Sequence, residues 1–308
     1  MYLEHNISCN ITVHNSFHLI QLLVYIPVFF VGTTLNGLAL WIFCYKINRW
    51  TETRVYMTNL VMADGCLLFT LPFKMVFSYN QQQVDTWCLI VESAYFINRL
   101  MSIYIITIVA IDRYITVKYP LKAKGLKSPF KAATISACLW ILIICLVGIT
   151  KAWENREQPG ICFEPSGKPS RETLLACLLG FFIPLIILSF CSVQVIKKLV
   201  RKRNTTAHEE KLIQKAIYII SANMIVFLAC FFPVYTGHIV QFIVNYTNAV
   251  CSVRSNVNNF VHLASLTANT NCCLDAICYY FVSQEFQEAT SLLQKSNASK
   301  SMTYQRQM

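Results

Sequence analysis

Residues 88–120 read CLIVESAYFINRLMSIYIITIVAIDRYITVKYP, an almost uncharged apolar run around which the rest of the chain is organised. The run carries one arginine, Arg99, near its start and closes with the triplet Asp112-Arg113-Tyr114. A charge inside such a run costs about 2.5–3.5 kcal/mol on membrane insertion, so an intramembrane arginine indicates a functional site. About four helical turns, a rise of about 21 Å, separate Arg99 from Arg113 on nearly one helix face. In a bilayer-spanning helix, one arginine would therefore lie toward each membrane surface, as a signal transmitter requires.

The composition is that of a membrane protein. Of the 308 residues, 55% are hydrophobic and 13% are charged, and the mean hydropathy is +0.47. Soluble domains carry about 25% charged residues, so lipid must solvate most of this surface. The net charge of +11 does not indicate nucleic acid binding, because the basic residues cluster between apolar spans.

Seven apolar segments are long enough, at about twenty residues, to cross about 30 Å of hydrocarbon. They predict an all-α fold, a seven-transmembrane helix bundle over 18–282, with an N-terminal segment 1–17 and a tail 283–308. Most of the 26 Lys and Arg residues fall on one side, which predicts a cytoplasmic C-terminus and an extracellular N-terminus. Apolar residues at helical spacing over 283–293 predict a short amphipathic helix on the inner leaflet. The segments are 18–45, 56–79, 90–117, 132–152, 174–199, 213–243 and 257–282.

Four cysteines and three glycosylation sequons fall on the predicted outer side. Most of the 14 cysteines lie inside apolar spans, where thiols pack as small hydrophobes. The four outer cysteines allow three pairings. We expect Cys88–Cys162, which ties the long outer loop to the third span, and Cys9–Cys251, which ties the N-terminus to the last outer loop. Glycans are expected at Asn6, Asn10 and Asn245.

Asp64 is a carboxylate in the middle of the second span, where it indicates a cation, a proton or a buried polar network. We expect a sodium ion bound by Asp64 with help from Ser102 and Asp275, and with hydrogen bonds from Asn36 and Asn271. The alternative is a hydrated polar network in which one acid is protonated, since two carboxylates that share a site raise the pKa of one. No other metal or cofactor is expected.

Arg99 indicates an acidic ligand in the outer half of the bundle. Its guanidinium is always charged and presents a planar donor fork that fits a carboxylate or phosphate. Tyr95, one turn away, can stack on an aromatic ring or donate its hydroxyl, and Lys74 and Lys151 add positive potential that attracts anions. Two alternatives stay open. In the first, Glu92 or Asp64 neutralises Arg99. In the second, Glu92 pairs with Lys74.

The ordered polar and aromatic residues of the spans resemble the rhodopsin-like, class A G-protein-coupled receptors, and the resemblance covers essentially the whole chain. It implies a plasma-membrane receptor, not an enzyme, that binds a ligand from outside and activates heterotrimeric G proteins. It assigns G-protein activation to Asp112, Arg113, Tyr114 and Tyr279, with Arg113 held by Asp112 at rest. It assigns the toggle on ligand binding to Phe227, Phe231 and Pro233. The class marks are Asn36, Asp64, Cys88, the 112–114 triplet, Trp140, Pro184, Phe227, Cys230, Pro233 and residues 275–279.

Two positions depart from the class pattern. Phe231 stands where the class usually has tryptophan, and Ala276 stands where its seventh-span motif has proline. We therefore expect a toggle with a lighter aromatic ring and a straighter seventh helix.

Within the class, the chain resembles the purinergic and lysophospholipid branch, and most of all a kynurenate-responsive orphan receptor. This implies an aromatic carboxylic acid such as kynurenate as ligand, and G proteins of the i/o and twelve/thirteen classes. Tyr95 and Arg99 match ligand residues of that receptor, whereas Thr150, Gln241 and Asn258 stand where it has further arginines. Other features resemble a lysophosphatidylinositol-responsive receptor, so lysophosphatidic acid or lysophosphatidylinositol is the alternative ligand. The similar stretches are 50–54, 56–60, 98–99, 125–129 and 271–280, and for the second receptor 71–76 and 91–92.

The inner surface offers sites for further partners. The basic stretch 197–203 can bind anionic membrane lipids or a protein, and both interpretations stay open. Arrestin and a receptor kinase are further expected partners through the tail.

Two other function classes have less support in the sequence. A transporter would use Asp64, Asp275 and Arg99 as an ion or proton relay, but transporters are typically built from repeated halves, and the sequence shows no such repeat. An enzyme would need paired catalytic acids, a serine elbow or zinc-spaced histidines. The six histidines are scattered along the chain.

Overall fold

The computed structural model describes residues 15–46, 50–120, 123, 128–157, 161–163, 171–201, 207–247 and 249–277. These residues form a bundle of seven helices. The expected amphipathic helix, the tail and the first fourteen residues lie outside the described ranges. The helices are α1 (Asn15–Trp41), continued by a π-helical turn (Ile42–Lys46), α2 (Glu52–Asn80), α3 (Thr86–Lys118) and α4 (Pro129–Glu157). α5 consists of Arg171–Cys177, a π-helical stretch Leu178–Phe182 and Ile183–Arg201. It is followed by α6 (Ala207–Tyr246) and α7 (Cys251–Asn269). After a turn at residue 270, α7 resumes as helix over 271–277.

Six of the helices in the described ranges, α1 to α6, are long and apolar enough to cross a membrane. Large apolar side chains that point away from the bundle are exposed, for example Phe30 at 65% and Ile186 at 68%, as expected for surfaces that contact lipid. The described part of α7 is more polar, since it carries Arg254 and several asparagines. These polar residues suit a helix packed between α1 and α6.

The helix that contains Arg99 and Arg113 is the centre of the bundle. α3 packs against α2, α4 and α5, and its side chains Met101, Ile103 and Ile105 are fully buried. Trp140 of α4 donates a 3.0 Å hydrogen bond to the side-chain oxygen of Asn59 on α2. This bond joins two of the helices that pack near α3.

Prolines lie within α1, α2, α5 and α6, and the one in α5 follows an irregular stretch of helix. Pro184 lacks an N–H, so the backbone before it loses a regular helical hydrogen bond, and the π-helical stretch Leu178–Phe182 precedes it. The Tyr104 hydroxyl donates to the Leu179 carbonyl in that stretch at 3.0 Å. α6 carries Pro233.

A disulfide joins Cys88 to Cys162, which confirms that predicted pairing. The Cys162 N–H donates to the Gln82 carbonyl at 2.8 Å, so the outer loop is fixed to the end of α2 as well as to α3. Cys251 is also disulfide-bonded. Its expected partner Cys9 lies outside the described residues, as do Asn6 and Asn10, and Asn245 lies half-buried in the last turn of α6.

Candidate functional site: an outer anion pocket, a polar core and an inner arginine

The outer site is built around the hydroxyl of Tyr95. Arg99 donates to this oxygen from Nη2 at 2.5 Å, because the two residues lie one turn apart on α3. Tyr95 in turn donates to Asn269 Oδ1 at 2.9 Å, and Asn269 donates from Nδ2 to the Tyr25 hydroxyl at 2.9 Å. The chain of hydrogen bonds therefore joins α3, α7 and α1 beneath the outer loop.

Lys74 brings a second cation to the same tyrosine. Its Nζ lies 3.9 Å from the centroid of the Tyr95 ring and 5.0 Å from that of Phe163, within the range of cation–π attraction. The Arg99 guanidinium lies 4.9 Å from the Tyr95 centroid. Within the described residues, neither Lys74 nor Arg99 forms an ion pair with a carboxylate, so the pocket carries two positive charges that a ligand can neutralise.

Glu92 forms its ion pair with Lys151, at 3.2 Å. The alternative pairing of Glu92 with Lys74 is therefore wrong, and so is the neutralisation of Arg99 by Glu92. The reason is tertiary: α3 packs against α4, and Lys151 reaches Glu92 from there, with its Nζ 4.9 Å from the Phe96 ring. Because Glu92 already neutralises it, Lys151 is a weaker candidate for ligand contact than Lys74.

Removing one partner of the Glu92–Lys151 pair should destabilise the receptor more than removing both. The two side chains are only 11% and 15% exposed, and an isolated charge left in such a place costs more than a pair. Glu92→Gln and Lys151→Gln should each lower the thermal midpoint of the detergent-solubilised receptor. The double variant should recover part of the loss, with a coupling of about 0.5–3 kcal/mol. Strictly additive losses would show that the pair contributes nothing.

Phe163 covers the pocket from the outer loop. Its backbone φ is 64°, a left-handed conformation that is uncommon for a bulky residue and indicates a constraint. The constraint is the adjacent Cys162, held by its disulfide and by the Ile161–Gln83 bridge. As a result the Phe163 ring packs edge-on against Tyr95 at 5.7 Å.

Positions 150, 241 and 258, on α4, α6 and α7, carry neutral side chains. Gln241 of α6 donates from Nε2 to Asn258 Oδ1 of α7 at 2.7 Å, and His238 lies 3.3 Å from Gln241. Thr150 bonds within its own helix, to the Val147 carbonyl. The positive charge of the site is thus concentrated on α2 and α3.

The predicted polar core assembles around Asp64 in the middle of the bundle. Asp64, Ser102, Asn36, Asn271 and Asp275 are all at most 5% exposed. Asn271 donates to Asp275 at 2.6 Å, and Asn36 donates to the Cys272 carbonyl at 3.0 Å. Four buried oxygens, both of Asp64 and the Oδ1 atoms of Asn36 and Asn271, lack a hydrogen bond of good geometry, although Asn98 and Ser102 lie beside the Asp64 carboxyl. Oxygen donors without protons of their own are the ligands that hard cations prefer.

Sequence reasoning missed several residues of these sites, among them Asn98, Asn269, Tyr25 and Phe163. Asn98 and Ser102 both interact with the Asp64 carboxyl, yet only Ser102 was predicted. Asn98 and Asn269 did carry a signal, since each is a polar side chain within an apolar span and must find a partner there. Tyr25 carried none, because a tyrosine in a membrane span is compatible with simple packing.

Two of the three predicted toggle residues, Phe227 and Phe231, lie in one aromatic cluster. Phe227 and Phe231, both at most 2% exposed, have ring centroids 5.2 Å apart. The sequence did not single out Phe181, which stacks on Phe227 at 5.7 Å and on Tyr235 at 4.6 Å. Phe181 lies in the π-helical stretch of α5, so the cluster couples α5 to α6.

Arg113 occupies the inner end of α3 and is 6% exposed. It lines a cavity bounded by α2, α3, α5, α6 and α7, together with Asn271 and Asp275. The inner arginine and two residues of the polar core therefore share one cavity. Asp112 is half-buried, Tyr114 accepts a 2.6 Å hydrogen bond from Lys118, and Tyr279 lies outside the described residues.

The chain matches the family described as 7 transmembrane receptor (rhodopsin family) over residues 35–279. It therefore belongs to the rhodopsin family of seven-transmembrane receptors. These are multi-pass membrane proteins that couple to G proteins, and they are not enzymes.

Its relatives belong to one branch of that family. The chain is 39% identical to G-protein coupled receptor 35 of Mus musculus, with 87% of this chain and 86% of the relative covered. It is 34% identical to G-protein coupled receptor 55 of Homo sapiens, covering 87% and 86%. It is 30% identical to lysophosphatidic acid receptor 6 of Homo sapiens, covering 86% and 81%.

Proposed function

We propose that this receptor binds a small acidic ligand, an aromatic carboxylic acid such as kynurenate, in the pocket of Arg99, Tyr95 and Lys74. The observation that carries the proposal is that Lys74 and Arg99 share the Tyr95 ring without an ion-paired carboxylate in the described residues. Buried charges are normally paired, so an anion stabilises this arrangement. The rings of Tyr95 and Phe163 offer apolar faces to an aromatic acid.

The signal passes inward in this proposal. The N-terminus is extracellular and the C-terminus cytoplasmic, and the ligand shifts the Phe181, Phe227 and Phe231 cluster from above. Release of Arg113 then opens the inner end of the bundle to a G protein of the i/o or twelve/thirteen class. Arrestin and a receptor kinase act through the tail, which lies outside the described residues.

The direct test compares acids with their neutral analogues. Cells that express the receptor are exposed to kynurenate, to its carboxamide, and to lysophosphatidic acid and lysophosphatidylinositol, with G-protein dissociation as the readout. We expect kynurenate to act and the carboxamide to be at least about tenfold weaker, because charge-assisted bonds to an arginine contribute about 1.5–3 kcal/mol each. Equal potency of acid and carboxamide would reject the anion pocket.

The lysophospholipid alternative is supported by a relative and by the charge of the site. One of the relatives is a lysophosphatidic acid receptor by name, and a phosphate fits a site with two cations. A response to lysophospholipid without a response to kynurenate would favour this alternative.

We also propose that a sodium ion binds in the polar core. The four oxygens of Asp64, Asn36 and Asn271 that lack a hydrogen bond of good geometry fit a hard cation, with Ser102 and Asp275 beside them. The described residues contain no group of three or more His, Cys, Asp or Glu that could hold a metal ion, so a sodium ion in the core would depend on amide and hydroxyl oxygens as well as on Asp64. When bound, it supplies the positive charge that the buried Asp64 carboxylate lacks.

Asp64→Asn should remove the dependence of ligand affinity on sodium. Kynurenate binding to membranes is measured across the millimolar sodium range, with potassium replacing sodium to keep the ionic strength constant. In the unmodified receptor sodium should shift the affinity, whereas in Asp64→Asn the curve should be flat because the cation loses its charged ligand. If affinity in the unmodified receptor is indifferent to sodium, the core is a hydrated polar network.

A further inference from the structure

A basic groove lies between the inner ends of α3 and α5, away from both the ligand pocket and the polar core. Its volume is about 450 Å³, within the roughly 300–1,000 Å³ of small-ligand sites. Among the residues that the structure describes, none that lines the groove is acidic. Its cations are Lys118 of α3 and Lys197, Lys198 and Arg201 of α5, all of them exposed.

Two lysines of this groove, Lys118 and Lys198, donate hydrogen bonds. Lys118 donates to the Tyr114 hydroxyl at 2.6 Å, and its Nζ lies 5.0 Å from the Tyr114 ring. Lys198 donates to the Lys118 carbonyl at 3.1 Å, which brings the two ammonium groups close enough to repel each other. An anion between them would replace this repulsion with attraction.

The groove is continuous with the surface that faces lipid. On α5, Phe190, Gln194 and Lys197 follow one another at i, i+4 and i+7, and so share a helix face. Phe190 is 52% exposed, and its ring lies 5.8 Å from that of Tyr114. A molecule with an anionic head and apolar chains can therefore place its head at the lysines and its chains along Phe190.

We propose that the groove binds the headgroup of a phosphoinositide, a membrane lipid that carries phosphate monoesters. Several phosphates on one head can accept from all four cations, and basic pockets between helices on the cytoplasmic side suit such headgroups. The cations lie at the end of the candidate span Leu174–Arg201, which is the depth of lipid headgroups. An acidic protein segment would use the charges but not the exposed Phe190 surface. The site is independent of the ligand of the outer pocket.

The test uses the full-length receptor in nanodiscs of phosphatidylcholine that contain a small fraction of fluorescent phosphatidylinositol bisphosphate. Binding is measured by energy transfer to a label on the receptor. The variant Lys118→Gln, Lys197→Gln, Lys198→Gln should lose affinity at least about tenfold, since each cation near the surface contributes to the attraction. The matched control Lys131→Gln, Lys211→Gln, Lys215→Gln removes the same charge elsewhere and should bind normally. The corresponding Lys→Arg variant at the groove should also bind, which excludes loss of folding as the cause.

Four outcomes would overturn the proposal. Equal loss in the matched control would show that net charge alone attracts the lipid. Equal loss in the Lys→Arg variant would show that positive charge at these positions is not what binds the lipid. If soluble inositol phosphate competes as strongly as the lipid, the occupant is a free phosphate and Phe190 plays no part. In the fourth outcome, the groove variant binds phosphatidylinositol bisphosphate normally and yet loses G-protein turnover in nanodiscs of pure phosphatidylcholine. That result would show that the groove contacts a protein and not the lipid.

Discussion

Arg113→Ala should abolish ligand-driven G-protein turnover while leaving kynurenate affinity largely unchanged. Arg113 is buried at the inner end of α3 and lines the same cavity as Asp275. About 21 Å of helix separates it from Arg99, so Arg113 lies too far from the proposed ligand to contact it. Nucleotide exchange on purified G protein and ligand binding to the same membranes measure the two effects separately.

Two further variants distinguish signalling from folding. Arg54→Ala removes another buried arginine, which packs on Trp50 at 4.4 Å at the inner end of α2. It should cost stability without abolishing turnover. Arg113→Lys keeps a charge but not the planar guanidinium, and should be intermediate. Normal turnover in Arg113→Ala would reduce this residue to an interfacial cation with no part in the switch.

Arg99→Ala should weaken the response to kynurenate by at least about tenfold. A guanidinium binds a carboxylate through two parallel charge-assisted bonds of about 1.5–3 kcal/mol each, and about 1.4 kcal/mol is a factor of ten. Arg99→Lys should lose less, because it keeps the charge but not the fork. Dose–response curves of G-protein dissociation give the potency.

The fold should survive this substitution. Tyr95 keeps its hydrogen bond to Asn269 when Arg99 is removed, so surface expression should be normal. Gln241→Ala on α6 is the matched control. It should change potency little, because both Gln241 and its hydrogen-bond partner Asn258 are uncharged. If kynurenate keeps its potency on Arg99→Ala but loses it on Lys74→Ala, the ligand is bound mainly by Lys74 of α2. The lysophospholipid interpretation would then be preferred.

The sequence alone predicted the helix bundle and several side chains of the sites. Local composition is sufficient for this, because the hydrocarbon core accepts only apolar segments whose backbone groups bond internally. Spacing within one helix is equally local, so Tyr95 and Arg99, one turn apart on α3, could be expected to meet, and they do. The Cys88–Cys162 disulfide was also predicted, since few cysteines lie on the outer side.

Contacts between helices depended on the tertiary structure. The sequence places Glu92 on α3 but does not say which cation of a neighbouring helix reaches it, and packing against α4 selected Lys151 over Lys74. In the same way the hydrogen bonds from Tyr95 through Asn269 to Tyr25 join three helices that are far apart in the chain. Hydropathy determines that a segment enters the membrane, but the face it turns to each neighbour depends on how all seven helices pack, and that packing determined which charges remain available to a ligand.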